Sequence, residues 1–312
     1  MTSALVKERA RALGFDACGI APAADLPELR FLTEWIARGY AADMAYLERS
    51  ADRRLDVRRV LPSARTVIVT ATNYNTDRPY SIESTDPQRA HVARYAWGDD
   101  YHDVIAGRHE ALLAWMRGAA DVPFEAKAYV DTGPVQERVY AQHAGIGWIG
   151  KNCCVINEGL GSWIFLGAII TSLALELDAP ALDQCGTCTL CLEACPTQAL
   201  VGPGILDSNR CISYLTIEHR GPLTEAAAAG IGTHIYGCDI CQEVCPWNAV
   251  APRSDDAAWQ PRPLWDATTL DALDRLTDEE IRAGLRKSPM KRTKVEGLRR
   301  NIAAARNNAS GR

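Results

Sequence analysis

Two cysteine arrays constrain this chain more than any other feature. Residues 185–200 read CGTCTLCLEACPTQAL, with four cysteines at CxxCxxCxxxCP spacing, and residues 236–248 read YGCDICQEVCPWN, with three more at CxxCxxxCP. A [4Fe–4S] cube needs four thiolates, and CxxC spacing lets one tight loop present several of them. In two-cluster ferredoxins the cysteine before the proline reaches across to the other cluster. One cluster is therefore expected on Cys185, Cys188, Cys191 and the distant Cys245. The second takes Cys195, Cys238 and Cys241 and is one ligand short. Cys211, in NRCISYLTIEH, is the nearby unassigned cysteine and is taken as that ligand, with 26 residues between it and Cys238.

The competing uses of cysteine fit less well. Zinc sites generally pair two CxxC units per ion and do not favour this spacing. The start, MTSALVKERARALGF, reads as an amphipathic helix without the apolar core of a signal peptide. A reducing cytoplasm is the expected compartment, and it argues against disulfides among the eleven cysteines. The remaining three, Cys18, Cys153 and Cys154, read as packing residues. No stretch approaches the ~20 apolar residues of a membrane span.

The net charge of −5 hides an asymmetry: residues 281–312 carry +9 and the preceding 280 carry −14. A basic tail on an acidic body suggests a localised polyanion contact.

Helix and strand signals alternate over the first 180 residues, which predicts an α/β domain. RTVIVTATNY reads as a β-branched strand and YHDVIAGRHEALLAWMRGAA as a long helix. FEAKAYV is a strand running into DTGPVQERVYAQHAG, where Pro134 is expected at a helix start and Gly145 past its end. NCCVINEGLGSWIFLGAIITSL predicts a β-hairpin turning at Gly159 and Gly161. The expected division is an α/β domain over 1–178, a two-cluster ferredoxin-like α+β domain over 179–250 and a basic helical segment over 251–312. That last segment breaks at Ser288-Pro289.

Beyond the arrays, VDTGPVQERVYAQHAGIGWIGKN, GSWIFLGAIIT and CISYLTIEHRGPL carry a resemblance. Together with the cysteine stretches they are similar to the epoxyqueuosine reductase family, from the first helix to about residue 308. The resemblance implies an oxidoreductase that makes the last reduction of queuosine biosynthesis in tRNA. It implies a base-off cobalamin held between the α/β and ferredoxin-like domains and fed by two [4Fe–4S] clusters. The family's general acid falls on Asp131. A helix beginning near Pro134 would favour that carboxylate's charged form, and burial against the corrin face is expected to supply the opposite shift. Corrinoid contacts are expected from Arg54, Arg94, Asp131, Asn152, Val155, Leu166 and Ser213. The implied partners are the tRNA anticodon loop, met by the basic tail, and a low-potential donor such as a flavodoxin or ferredoxin system. A monomer is expected. Two departures stand out: longer relatives continue into helical repeats, and Ala168 stands where an acid is expected. A corrinoid-dependent reductive dehalogenase and a non-enzymatic iron–sulfur electron carrier are the alternatives. The carrier reading leaves VDTGP and GWIGKN without a purpose.

Overall fold

The computed structural model describes residues 1–266 and 268–311. From the N-terminus run α1 (Ser3–Ala12), β1 (Ala17–Pro22), α2 (Phe31–Ala37), α3 (Ala45–Arg54), β2 (Thr66–Asn73), β3 (His91–Val92), α4 (Tyr101–Ala119) and β4 (Ala126–Tyr129). Then come α5 (Glu137–His143), β5 (Trp148–Ile149), β6 (Val155–Ile156) and β7 (Ile164–Thr171). Strands β1, β2, β7 and β4 lie side by side in that order.

All eight residues of β2 are buried, so helices cover both faces of the sheet. Alternation along a strand sends successive side chains to opposite sides. Val67, Val69 and Ala71 join Leu26, Leu29, Val139 and Tyr140 on one face. Ile68 meets Val6, Ala10, Ile105, Leu112 and Met116 on the other. The mixed α and β content is as expected, but the three ladders of this sheet are all antiparallel. Strands β2 and β4, both antiparallel to β7, run parallel to each other, and the connection through α4 crosses between them, leaving a gap that β7 fills.

The expected hairpin over residues 152–173 also takes another form. Strand β7 has β2 on one edge and β4 on the other, so no edge remains for β6. Strand β6 pairs with β5 instead, and a single Asn157–Gly161 bridge closes the turn.

The cysteine region contains α6 (Leu190–Ala194), β8 (Leu200–Gly202), β9 (Ile205–Leu206), α7 (Ile212–Ile217), α8 (Glu225–Gly230), β10 (His234–Tyr236), α9 (Ile240–Glu243) and α10 (Pro246–Ala249). Helices α6 and α9, which follow the two cysteine loops, pack on one another. Strand β10 runs parallel to β3, tying this region to residues 91–92.

Helices α11 (Leu270–Asp274), α12 (Asp278–Leu285) and α13 (Lys294–Ala309) complete the chain. Ser288 caps the short turn at Pro289, so the break falls where the sequence put it. Leu285, Met290, Leu298 and Ile302 pack onto Val92, Ile235 and Tyr236, giving this segment a core with the middle of the chain. Buried Asn301 donates to the carbonyls of Thr216 and Ile235. Among the described residues no helix is long and apolar enough to cross a membrane.

Candidate iron–sulfur and proton-transfer site

The structure gathers the eight candidate ligands into two sets. Burial raises the Cys191 thiol to about 11, helped by Cys245, Cys185 and Cys188. Cys245 is raised by burial and by Cys185 and Cys188. In the second set burial raises Cys211, with Cys195 adding to it. Cys238 and Cys241 are likewise raised by burial, and both feel Cys211. Each array thus sends its last cysteine to the other set, and Cys211 completes the second. Cys211 and Cys245 both sit at helix N-termini, where a thiolate is favoured. Among the described residues no three Cys, His, Asp or Glu side chains close around one ion. Four thiols and no imidazole in each set is the donor chemistry that a [4Fe–4S] cluster takes.

The KNCC turn fastens both loops. Lys151 Nζ donates to the carbonyls of Gly186 and Cys188 at 2.7 and 2.8 Å. Asn152 donates to the Cys241 carbonyl at 3.2 Å and accepts from Cys154 N–H. Trp148 and Trp247 meet edge to face, 5.0 Å between centroids, against Cys185 and Cys245. Burial holds Cys154 up at about 12 and raises Cys153, which keeps both as neutral thiols. Cys18, on β1, is raised to about 12 for the same reason.

Asp131 leaves β4 with φ +57°, a left-handed conformation that Asp tolerates better than most residues. Helix α5 begins at Glu137 with Gln136 as its cap, not near Pro134. Asp131 is thus too far from the helix to feel its N-terminus, an effect confined to the first turn. Helix α4 holds the carboxylate instead. Asp100 caps that helix and is 1% exposed. Its Oδ1 faces His102 Nδ1 at 2.6 Å, and His102 Nε2 faces Asp131 Oδ2 at 3.4 Å. Lys291 Nζ, from the C-terminal segment, lies 2.6 Å from Asp100 Oδ2. Tyr101 stacks on Phe165, 4.5 Å between centroids, and its hydroxyl helps hold the Asp131 carboxyl down.

The charges in this cleft divide sharply. Surrounding protein pushes the Asp131 carboxyl up, but His102, Tyr101 and Arg138 outweigh it, so its pKa lies below the usual value. The expected upward shift is therefore reversed in the protein alone; the side chain remains 66% exposed. Burial would depress His102, yet Asp100 and Asp131 raise it to about 9. Glu137 is pushed up to about 8 by burial and by the Asp131 charge, and its Oε1 is buried without a partner. Arg138 donates to the Cys153 carbonyl at 2.6 Å, and Cys153 lies within electrostatic reach of Cys211. Arg138 and Cys153 thus link Asp131 to the second thiol set.

The expected cofactor contacts sort unevenly. Arg54 donates to the Val135 carbonyl at 2.8 Å, beside Glu137. Ser213 lies in the first turn of α7, two residues after Cys211, and favours its thiolate. Leu166 is half-buried on β7, whereas Val155 is buried in the core. Arg94 takes a different role: it is 2% exposed, and its guanidinium donates to the carbonyls of Thr76, Arg78 and Pro79. Its face lies over Trp97, so its side chain is committed to the fold. Asn152 is similarly occupied with the cysteine loop. Ala168 is fully buried opposite Val69 and Tyr129, where an acid would lack a partner. Sequence reasoning passed over His102, Asp100, Glu137 and Lys151. The available signal was the DDYHD run at the start of α4, where a helix cap, an aromatic ring and an imidazole follow one another.

The family model described as 4Fe-4S double cluster binding domain matches residues 184–248, and that described as Epoxyqueuosine reductase QueG, DUF1730 matches residues 54–132. An epoxyqueuosine reductase from Gloeobacter violaceus is 45% identical over 97% of this chain and 95% of its own. A crystal structure of epoxyqueuosine reductase with an epoxyqueuosine-modified tRNA-Tyr stem loop superposes with a TM-score of 0.90 at 31% identity. It covers 98% of this chain and 81% of that one. The Bacillus subtilis epoxyqueuosine reductase, solved with its catalytic aspartate loop swung out of the active site, gives 0.87 at 30% identity with the same coverage. The cysteine sets, the Asp131 cleft and the whole-chain likeness lead to one conclusion: this chain belongs to the epoxyqueuosine reductase family.

Proposed function

We propose that this protein reduces epoxyqueuosine to queuosine at the wobble position of tRNA, the last step of queuosine biosynthesis. The observation that carries the reading is the neighbourhood of the second thiol set and Asp131, joined through Arg138 and Cys153, in a chain of this family. Cys185, Cys188, Cys191 and Cys245 hold one [4Fe–4S] cluster, and Cys195, Cys211, Cys238 and Cys241 hold the other. A low-potential donor such as a flavodoxin or ferredoxin system supplies electrons, through a protein acting as a cytoplasmic monomer.

A base-off cobalamin would lie against the exposed Asp131 side chain. The orphaned Glu137 Oε1 suits an amide on the corrin rim, and Asp131 faces the open space. Arg54 lies beside Glu137, and Leu166 and Ser213 are proposed as further contacts. When bound and reduced, the corrinoid supplies a strong nucleophile for opening the epoxide. Asp131 delivers a proton to the departing oxygen, a task worth about 10²–10⁴-fold in rate. The chain divides into a corrinoid-binding unit over 1–178, a ferredoxin-like unit over 179–250 and a helical segment over 251–312. The substrate base is splayed from the single-stranded anticodon loop into the cleft.

The test is incubation of cluster-loaded protein with epoxyqueuosine-containing tRNA, cobalamin and a low-potential reductant. Digested nucleosides should lose the mass of one oxygen only when all components are present. Unchanged nucleoside in the complete mixture would refute the activity.

A further inference from the structure

The geometry points to His102 as the proton store that reloads Asp131 during turnover, with Asp100 and Lys291 holding it in place. This rests on the reductase reading above. Converting an epoxide to an alkene breaks two C–O bonds, forms one C=C π bond and releases water. The balance requires two electrons, which the external donor supplies, and two protons. One carboxyl group carries one proton, so Asp131 must be recharged within each cycle or be joined by a second acid.

His102 is placed for that role. Its two ring nitrogens face two different carboxylates, Asp100 at 2.6 Å and Asp131 at 3.4 Å. A neutral imidazole would turn a lone pair toward one of them, whereas an imidazolium donates to both. The Asp131 distance is long for a hydrogen bond, as catalytic contacts often are before substrate is bound. Asp100 is 1% exposed, so it cannot drift away from the ring, and Lys291 balances its second oxygen. The His102 side chain is 27% exposed and can exchange its proton with water. Tyr101 stacks on the ring at 4.0 Å and limits its rotation.

Other charges facing the pair come from neighbouring elements. Arg138 and Glu137 reach Asp131 from α5, and Arg292 from the C-terminal segment. The two arginines favour the ionised Asp131, and Glu137 is itself held up near 8. The imidazolium persists to about pH 9 while Asp131 stays ionised. At neutral pH the transferable proton therefore rests on His102 and reaches the substrate through Asp131.

Two measurements on the cluster-loaded full chain test this. Histidine hydrogen–deuterium exchange followed by mass spectrometry reads the His102 protonation without turnover. Its inflection should lie near 9 in the wild type and move down by at least ~1 unit in Asp100→Asn. An inflection at or below ~6.5 in the wild type would overturn the assignment. For turnover, His102→Ala should be at least ~10-fold slower, with iron content and tRNA affinity kept. Added imidazole should restore the rate, which a purely structural loss would not permit. If His102→Ala fails to fold, His102→Gln carries the test, since it keeps a bond to Asp100 but cannot store a proton. Wild-type turnover in either variant, or a folded His102→Ala deaf to imidazole, sinks the proposal. Wild-type protein that leaves epoxyqueuosine untouched would instead sink the reductase reading, and the exchange inflection would then decide His102 alone.

Discussion

Asp131→Asn separates proton delivery from every other property of the site. The backbone at this position has φ +57°, and Asn adopts that region as readily as Asp, so the VDTGP turn should keep its shape. The side chain is 66% exposed, and losing an exposed pair with His102 costs at most ~1 kcal/mol. The shift in melting temperature should therefore stay within ~4 °C. Turnover faces a larger penalty. Asn cannot donate a carboxylic proton, and a placed acid contributes ~10²–10⁴-fold, or roughly 3–5 kcal/mol of barrier. Single-turnover assays should therefore run at least ~100-fold slower, with cluster EPR signals and tRNA binding retained. Normal turnover would refute the reasoning and move the donor to Tyr95, Tyr101 or water. Loss of cobalamin binding would make Asp131 a binding residue.

Three further outcomes are expected. Cys211→Ser should lower iron toward half while sparing the cluster of Cys185, Cys188, Cys191 and Cys245; full iron with unchanged EPR would remove Cys211 from the set. Arg286, Lys287 and Lys294 are exposed and make no ion pair among the described residues; replacing all three with Gln should weaken tRNA binding and flatten its salt slope by roughly 2, and an unchanged slope would place the RNA surface elsewhere. Buried His109, held at about 4 by desolvation, is protonated first in the unfolded chain. Stability should consequently fall as pH drops from ~6.5 toward 4, by up to ~3 kcal/mol from this residue. Denaturant titrations of His109→Gln should show a shallower acid slope, only partly so because His91 and His234 are depressed to about 4 as well.

Legibility in the sequence followed the range of the interactions. The cysteine spacing is a local signal, and the double-cluster family model over residues 184–248 agrees with the two clusters it predicts, while the sharing of Cys195 and Cys245 between the loops is part of the proposal. Strand β2 was legible because burial on both faces leaves a continuous β-branched run. Strand direction was not, since antiparallel pairing depends on which edges remain free. The hairpin expectation failed for that reason at β7. Arg94 fitted a corrinoid contact by motif, yet the carbonyls that take its guanidinium come from residues 76–79, whose fold no spacing reveals. His102 was missed because its meaning lies in partners 29 and 2 residues away, on opposite sides of one ring.

The basic tail changes most when charge is traced to partners. Lys291, Arg292, Arg299 and Arg306 face Asp100, Glu218, Asp278 and the Asp271–Asp274 pair respectively. Arg300 spends its guanidinium on the carbonyls of Leu215, His219 and Gly221. Much of the apparent polyanion surface is thus internal neutralisation of an acidic body. This makes the segment part of the site: Lys291 balances the carboxylate that orients His102, while Asn301 anchors α13 to the carbonyl of Thr216, in the helix that Cys211 opens. In the proposed reaction electrons would reach the substrate from the Cys211 side and protons from the His102 side, and α13 with its preceding turn contacts both elements. A change that loosens this segment should therefore disturb cluster two and the acid together, whereas a change at the first cysteine loop should disturb only electron supply.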